Sequence, residues 1–597
     1  MINTRKSTTL LRSTAVAGSL AVLSLPALAG TPQSLTMVPK DSELVVVIPD
    51  LGELLGDMDR VNAMMGAMGQ PELMMMTSMV RGMPGINLGG SAAIVLDIDG
   101  EFSGDMDAVV LLPISSFDDL TQGRAAVNGL VEMPMGDQPI YYRDIGGGFA
   151  AMSNDTDVLT GFRPASNTAE QAQQMLGTAG SRVADSNDLM VYLNLEAVRP
   201  MLDESIVEME KQGEMVEMMA GPQAAQGFDT MLNAYKTAIK DGHAVVTGVN
   251  FDPQKGFAMD FGLQFAEGSS SASYFNNEGH ADSYFDKVPQ MDFFYAQAFD
   301  MGGEGIQKLF DGYFKMIGDI DAEGIMGGFD LPNMMKQFKG GAMVVGSSDI
   351  MGMTGLLANS VMYTEGADAE DAIKSMQKMY GSLAQIEGAD QAGVSIAASF
   401  ADEPIDVNGI QAYTHSMSFN IDPNAMGGAG GGFGAPDPAM IMQIIYGPSR
   451  GPSGYAAKAG NGMVYTFSQN ADLLTKSVAA ANGENTMMKN AGIAAASSML
   501  PDNRVMEAYL GAGQMLNTAG PMLMMFGLIP EFEPTEGLTP LAFGATADGG
   551  GMMIRTVMPL DTLSAIMKMV PADAMDMFGG GGDDDWDEEE GDDDMSF

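Results

Sequence analysis

Four short apolar runs, each followed by a stripe at helical spacing, constrain this chain more than any other feature. They are Leu44-Val45-Val46-Val47-Ile48 ahead of Leu54-Leu55, and Leu189-Met190-Val191-Tyr192-Leu193 ahead of Met201-Leu202. The other two are Met291 to Ala296 ahead of Ile306 and Leu309-Phe310, and Val505 to Leu510 ahead of Met515-Leu516. Runs of this length read as strands, and the spacing that follows them reads as one face of a helix. Pro39, Pro289 and Pro501 precede three of the runs, which suits an extended entry.

A second unit is a hairpin. Tyr142 to Leu159 aligns without a gap to Ala457 to Leu474, pairing Arg143 with Lys458, Gly147 with Gly462, Ser153 with Ser468 and Asp157 with Asp472. Both copies have a Gly-rich turn, a strand, then Ser and Asp oxygens placed to cap a helix start. A third unit leaves a strand through proline: Leu111-Leu112-Pro113-Ile114 before Asp118-Asp119-Leu120, and Val557-Met558-Pro559-Leu560 before Asp561-Thr562-Leu563. Hairpins with amphipathic helical covers predict an α+β fold with antiparallel sheets, arranged as two tandem related lobes.

The expected organisation is a signal peptide at 1–29, a first lobe at 30–267, a joint at 268–287 around Gly268-Ser269-Ser270-Ser271, and a second lobe at 288–576. A Gly/Pro-rich loop interrupts the second lobe at 427–438, and the tail 577–597 is Gly-rich, then acidic, and expected to be disordered. Whether the lobes enclose a cleft or share one sheet is open at this level. The same strand–helix–hairpin order, covering most of 34–575, resembles exported bacterial proteins that carry a large domain of unknown function. That resemblance implies export and transfers no functional residue.

The N-terminus agrees. Arg5, Lys6 and Arg12 precede the uncharged stretch Thr14 to Leu25, and Pro26 stands before Ala27-Leu28-Ala29, an A-x-A cleavage pattern. Cleavage after Ala29 and a periplasmic or secreted location are expected. The uncharged run Ala508 to Pro530 is interrupted by Gln514, Asn517, Gly520 and Pro521, so it reads as buried structure instead of a membrane span.

Composition narrows the partners. Asp and Glu number 78 against 29 Lys and Arg, a formal net charge of −49, which repels phosphate backbones and anionic headgroups. Cys is absent, which removes disulfides, thiolate metal sites and Cys nucleophiles. The 57 Met include Met64-Met65, Met74-Met75-Met76, Met218-Met219, Met334-Met335 and Met552-Met553. Thioethers are ligands for Cu(I), but clusters spread among Leu and Ile read first as gap-filling core and second as an adaptable apolar groove for a lipid or peptide.

The one motif with ligand spacing is Asp319 to Asp330, which resembles an EF-hand loop. Acids fall at loop positions one, three, five and twelve, and Gly324 stands at the sharp turn. By that resemblance Asp319, Asp321, Glu323 and Asp330 would ligate calcium through side chains and Ile325 through its carbonyl. The departures are Glu323 at the fifth position, Asp330 in place of a bidentate Glu, and an early Pro332. The other reading is a helix C-cap at Gly324, with Asp330 capping the next helix. Asp97-Ile98-Asp99-Gly100 reads as a hairpin turn, and the acidic tail as a solvated bristle.

Catalytic signals are sparse. His243, His280 and His415 lack metal-ligand spacing. Gly447-Pro448-Ser449-Arg450-Gly451 matches a nucleophile elbow, but Pro452 and Gly454 forbid the helix that an elbow needs. Ser375-Met376-Gln377-Lys378 has no partner motif, and the Gly-rich stretch at Gly427 has no phosphate-loop Lys. The expected function is therefore an exported, soluble, non-catalytic binding or scaffold protein of the cell envelope. The alternatives are a periplasmic carrier of an apolar ligand, which requires a Met- and Phe-lined cavity open to solvent, and an unrecognised hydrolase, which requires Ser449, a His or buried acids converging in a polar cleft.

Overall fold

The computed structural model describes residues 31–569 except 66–70, 98–106, 136–137, 221, 253–254, 310, 313–337, 348–353, 367, 384–393, 422–437 and 526–531. The expected signal peptide, the calcium-like loop, nearly all of the Gly/Pro-rich loop and the acidic tail lie outside these residues.

Among the described residues, twenty strands form one sheet. In chain order they are β1 (Leu44–Ile48), β2 (Ala92–Asp97), β3 (Asp107–Pro113), β4 (Val131–Met135), β5 (Gln138–Gly146), β6 (Phe149–Ser153), β7 (Leu189–Asn194), β8 (Gly242–Asp252), β9 (Gly256–Phe265) and β10 (Phe293–Asp300). They continue as β11 (Phe338–Gly346), β12 (Ser360–Gly366), β13 (Val394–Phe400), β14 (Ile405–Val407), β15 (Ile410–Ile421), β16 (Ser453–Ala459), β17 (Gly462–Thr466), β18 (Arg504–Leu510), β19 (Leu541–Asp548) and β20 (Gly551–Pro559).

The pairings among the described residues are antiparallel, and the spatial order is readable outwards from the contact between β9 and β20. One arm runs β9-β8-β7-β1-β2-β3-β6-β5-β4. The other runs β20-β19-β18-β10-β11-β12-β17-β16-β15, with β13 and β14 end to end along the far edge of β15. The four apolar runs are β1 beside β7 and β10 beside β18. The fold is α+β, and the sheet is continuous where the sequence left a cleft open.

At the centre of the β9–β20 ladder Asp260 faces Arg555. Arg555 Nε donates to Asp260 Oδ1 at 2.8 Å and Nη2 to Oδ2 at 2.6 Å. Asn187 Nδ2 and Ser186 Oγ donate to the same Oδ2 at 2.6 and 3.1 Å. A carboxylate this buried is tolerable because each lone pair it turns inward meets a donor. Asp260 and Arg555 each have a glycine, Gly248 and Gly544, as the other cross-strand neighbour.

Of the helices, those that position the site are α1 (Leu51–Met65), α2 (Pro71–Arg81), α3 (Thr156–Gly161), α4 (Ala169–Ser186), α5 (Arg199–Ala220), α6 (Pro222–Asp241), α7 (Ala369–Leu383) and α8 (Ala471–Ala481). On one side of the sheet α4 crosses β8, β9 and β20. It lies so close that a Cβ on Gly180 would stand 2.7 Å from Val246 Cγ2, and one on Gly248 2.6 Å from Asn187 Cγ. Val45, Val47, Tyr192 and Val246 on one arm, and Tyr363, Val464 and Tyr509 on the other, fill the core on this side. The segment expected as a joint contributes to that core: Ala281–Lys287 forms a 3-10 turn that packs on β10, β11 and β18, with Ala281 and Phe285 fully buried. On the opposite side α1 and α2 cover outer strands of one arm through Leu51, Leu55 and Val80, and α7 covers the other through Ile373, Met376 and Tyr380. The α5–α6 hairpin packs on itself through Ile206, Leu232 and Ile239.

Two local expectations change. The helix caps after the aligned hairpins are Asp155 and Asn470, not the flanking Ser and Asp. Asp155 Oδ1 accepts from Asp157 N at 2.6 Å, and Asn470 Oδ1 from Asp472 N at 3.0 Å, because the residue before the first helical one is the one whose short side chain reaches back to the free N–H groups. The Pro-bearing exits also differ in place: Pro113 ends β3 inside one arm, whereas Pro559 ends β20 at the midline. Among the described residues no helix is long and apolar enough to cross a membrane.

Arg555→Leu leaves Asp260 buried without its partner and should cost roughly 3–5 kcal/mol, read as a lowered urea midpoint; the apolar pair Asp260→Leu with Arg555→Met should recover most of that loss.

Candidate functional site

Antiparallel neighbours share a face, so the register assigns each side chain of the middle strands to one side. Toward α4, β9 presents Ala258, Asp260, Gly262 and Gln264, all buried. Away from α4 it presents Phe257, Met259, Phe261 and Leu263. Their partners on β20 are Met558, Thr556, Ile554 and Met552. Val245 and Val249 of β8 and Phe543 of β19 extend the same surface sideways. None of these side chains is charged. Across β7, β8, β9, β20, β19 and β18 the surface is about 25 Å wide at the usual strand spacing.

This floor inverts the ordinary amphipathic strand. On β9 the covered side carries small and polar residues, Ala258, Asp260, Gly262 and Gln264, where α4 approaches closely. The large apolar residues stand on the other side, where Met259 is 54% and Phe261 38% exposed. Phe257, Met259, Phe261, Met552 and Ile554 thus lie together on one uncharged apolar surface.

Where β8 turns into β9, a cavity of about 400 Å³ opens at the end of the sheet, lined largely by residues on its α4 side such as Ser186, Asn187 and Ala258. Glu53, Asp188, Asn250, Asp252 and Phe257 line it from one arm, and Met499, Leu500, Arg555 and Val557 from the other. Phe257 belongs to both the cavity and the floor, and its ring packs against Phe251 at 5.1 Å. Glu53 and Asp57 sit one turn apart on α1, which packs beside β8, and their carboxylates lie within 4.8 Å of that of Asp188. Asp188 is placed at the entry to β7, where its Oδ2 accepts from Phe251 N at 2.7 Å.

The electrostatics are unbalanced toward acid. Burial first, then the charges of Asp57, Glu53 and Asp252, push the Asp188 carboxyl up to about 6, against the pull of the Phe251 N–H. Burial also raises Glu53, helped by Asp50 and Asp57, and it raises Asp57 and Asp185. The nearby cations are already engaged: Lys255 with Asp252 at 3.0 Å, Arg60 with Asp57 at 2.8 Å, and Arg555 with Asp260.

The residues singled out from sequence lie elsewhere. Asp319, Asp321, Glu323, Ile325 and Asp330 are outside the described residues. Ser449 sits in a 3-10 turn, and its Oγ donates toward the carbonyls of Gly451 at 2.7 Å and Tyr446 at 3.0 Å. His415 is 1% exposed and stacks on Tyr465; its Nε2–H donates to Thr466 O at 3.0 Å, and Nδ1 lies 3.0 Å from Tyr465 Oη, while burial lowers it to about 4. His243 bridges Glu196 and the Gln174 carbonyl, both at 3.0 Å. The Met clusters divide: Met552 lies on the floor, Met553 in the core, and Met74, Met75 and Met218 on exposed helical surface.

A carboxyl raised by folding binds its proton more tightly when folded, so Asp188 stabilises the fold at low pH and loses that contribution as pH rises from about 4 to about 6. Asp188→Asn should therefore flatten the stability profile across that window and raise the urea midpoint above it. In comparisons with known proteins the chain matches no family model, no curated protein and no solved structure.

Proposed function

We propose that this protein is an exported, non-catalytic binding protein of the cell envelope that carries an apolar ligand, and that its arms are tandem copies of one α+β unit. The observation that carries the first part is the uncharged floor of Phe257, Met259, Phe261, Met552 and Ile554. The backbone groups of those strands are spent on the ladder with their neighbours, so the floor offers a ligand neither charge nor free N–H and C=O. The occupant that suits such a surface is a hydrocarbon chain. An extended peptide would leave its own backbone unpaired there, at a desolvation cost it could not recover. Adaptable thioethers at Met259, Met552 and Met558 suit chains of differing shape.

The second part rests on order. Reading outwards from the midline, both arms place a hairpin, then two helix-bearing strands side by side, and later the aligned units β5–β6–α3 and β16–β17–α8. The runner-up is a scaffold in which a second copy packs floor to floor, favoured by the unbroken sheet. For the hydrolase alternative, the acids Glu53, Asp57 and Asp188 do converge beside the cavity, but neither Ser449 nor a histidine is among the residues that line it.

Native mass spectrometry of the mature chain from its own host should show an added organic mass, and Phe261→Asp should remove it while changing stability by only about 0.5 kcal/mol. A bare mass in a defined dimer would support the scaffold instead. The calcium reading of the loop stands beside this proposal: one calcium-sized mass, lost to EDTA and to Asp319→Ala, is the expected result, and its absence would return the loop to a helix cap.

A further inference from the structure

Methionine is concentrated where a core cannot be its reason. Among the described residues nine of the eighteen large apolar side chains that stand well exposed are methionines, and eight of those nine belong to helices, not to the floor. Met74, Met75 and Met79 are on α2, Met215 and Met218 on α5, and Met231 on α6. Met515 and Met524 are on α9 (Ala512–Met525). Their exposures run from 45% to 84%, so gap-filling, the ordinary use of methionine, does not account for them. The placement also recurs in both arms. α2 lies in the connection from β1 to β2, α5 and α6 in that from β7 to β8, and α9 in that from β18 to β19, following three of the four apolar runs.

Other groups hold these helices. On α2, Val80 is buried and Thr77 Oγ1 donates to Asp59 Oδ1 at 3.1 Å. α5 and α6 pack through Ile206, Leu232 and Ile239. α9 is tied by Asn517, whose Nδ2 donates to Thr535 O at 2.7 Å and whose Oδ1 accepts from Thr535 N at 2.8 Å. The eight thioethers can therefore change chemically without loosening the fold. What methionine offers at an exposed position, and leucine does not, is a sulfur lone pair open to two-electron oxidants. The chain has no Cys, so no thiol of its own competes for the oxidant or cross-links when attacked. We infer that these helices form a reversible oxidant-scavenging surface whose substrate is a hypohalous acid. The sulfur gains one oxygen and gives up two electrons, while hypochlorous acid becomes chloride and a proton. Methionine sulfoxide reductase reverses the change with two thiols, which become a disulfide as the oxygen leaves in water. None of the eight lies on the strands of the floor, so scavenging and carriage are separate functions of the molecule.

The test adds hypochlorous acid stepwise to the full mature chain and locates each added oxygen by peptide mass mapping. The eight helical methionines should be oxidised about tenfold faster than the buried Met152, Met190, Met463 and Met553. The urea midpoint should hold until they are consumed, and the reductase with a thiol reductant should restore the starting mass. With N-acetylmethionine matched one for one to these side chains, the native chain should take about half of the oxidant or more. The variant with Met→Leu at all eight positions, a change that conserves volume, should keep the midpoint and take about half as much as the native chain. Equal oxidation of exposed and buried methionines, loss of the midpoint before the eight are consumed, or unchanged competition by the variant would overturn the inference. Cu(I) retained through desalting by the native chain but not by the variant would make the thioethers a metal site and overturn it too.

Discussion

The nine residue pairs of the β9–β20 ladder hold the two arms in one sheet, and the remaining features depend on that contact. Without it neither arm would have a floor, because the exposed apolar surface is assembled from strands on both sides of the midline. Nor would the cavity close, since Met499, Leu500, Arg555 and Val557 come from one arm and Glu53, Asp188 and Phe257 from the other. The ladder is short for the area it organises. Its strength comes from α4, which lies across β8, β9 and β20 and whose Arg182 pairs with Asp548 at 2.6 Å in the opposite arm.

The choice of which sheet face stays open follows from helix packing. Glycines at 180, 248 and 262 let α4 settle on the strands, and the side beneath it is filled by these glycines, Ala258 and polar groups that find partners there, such as Asp260 and Gln264. Phe257, Met259, Phe261 and Leu263 are thereby committed to the other side. A strand has only two sides, so the fit of one helix on its partner strands dictates the hydrophobicity of the surface that solvent meets.

Much of the fold was legible in the sequence, and the reasons are local. The runs at Leu44, Leu189, Met291 and Val505 are short, apolar and bounded by turn residues, which only strands satisfy. The gapless alignment of Tyr142 to Leu159 with Ala457 to Leu474 located matching hairpins 315 positions apart. What was not legible depends on contacts distant in sequence. Phe257-Ala258-Met259-Asp260-Phe261 alternates large apolar residues with small or polar ones, and nothing in those residues says that a helix will cover the small and polar side. The Ser run at 269–271 suggested a linker, although Tyr284 and Phe285 downstream were signals of burial. The acidic cluster was hidden by abundance: Glu53 and Asp57 share a helix face by their spacing, but only the pairing of β1 with β7 brings Asp188 to them.

The opposed charges at the midline also decide which partner each arm accepts. Asp260 and Arg555 stand at the centre of the ladder, each beside a glycine on the neighbouring strand. Were one arm to associate with another copy of itself along this edge, Asp260 would meet Asp260, or Arg555 would meet Arg555, with like charges forced together away from water. Only the mixed pairing neutralises both. The pair thus selects which edge docks on which, and like edges of separate molecules are kept apart even where their backbones would fit.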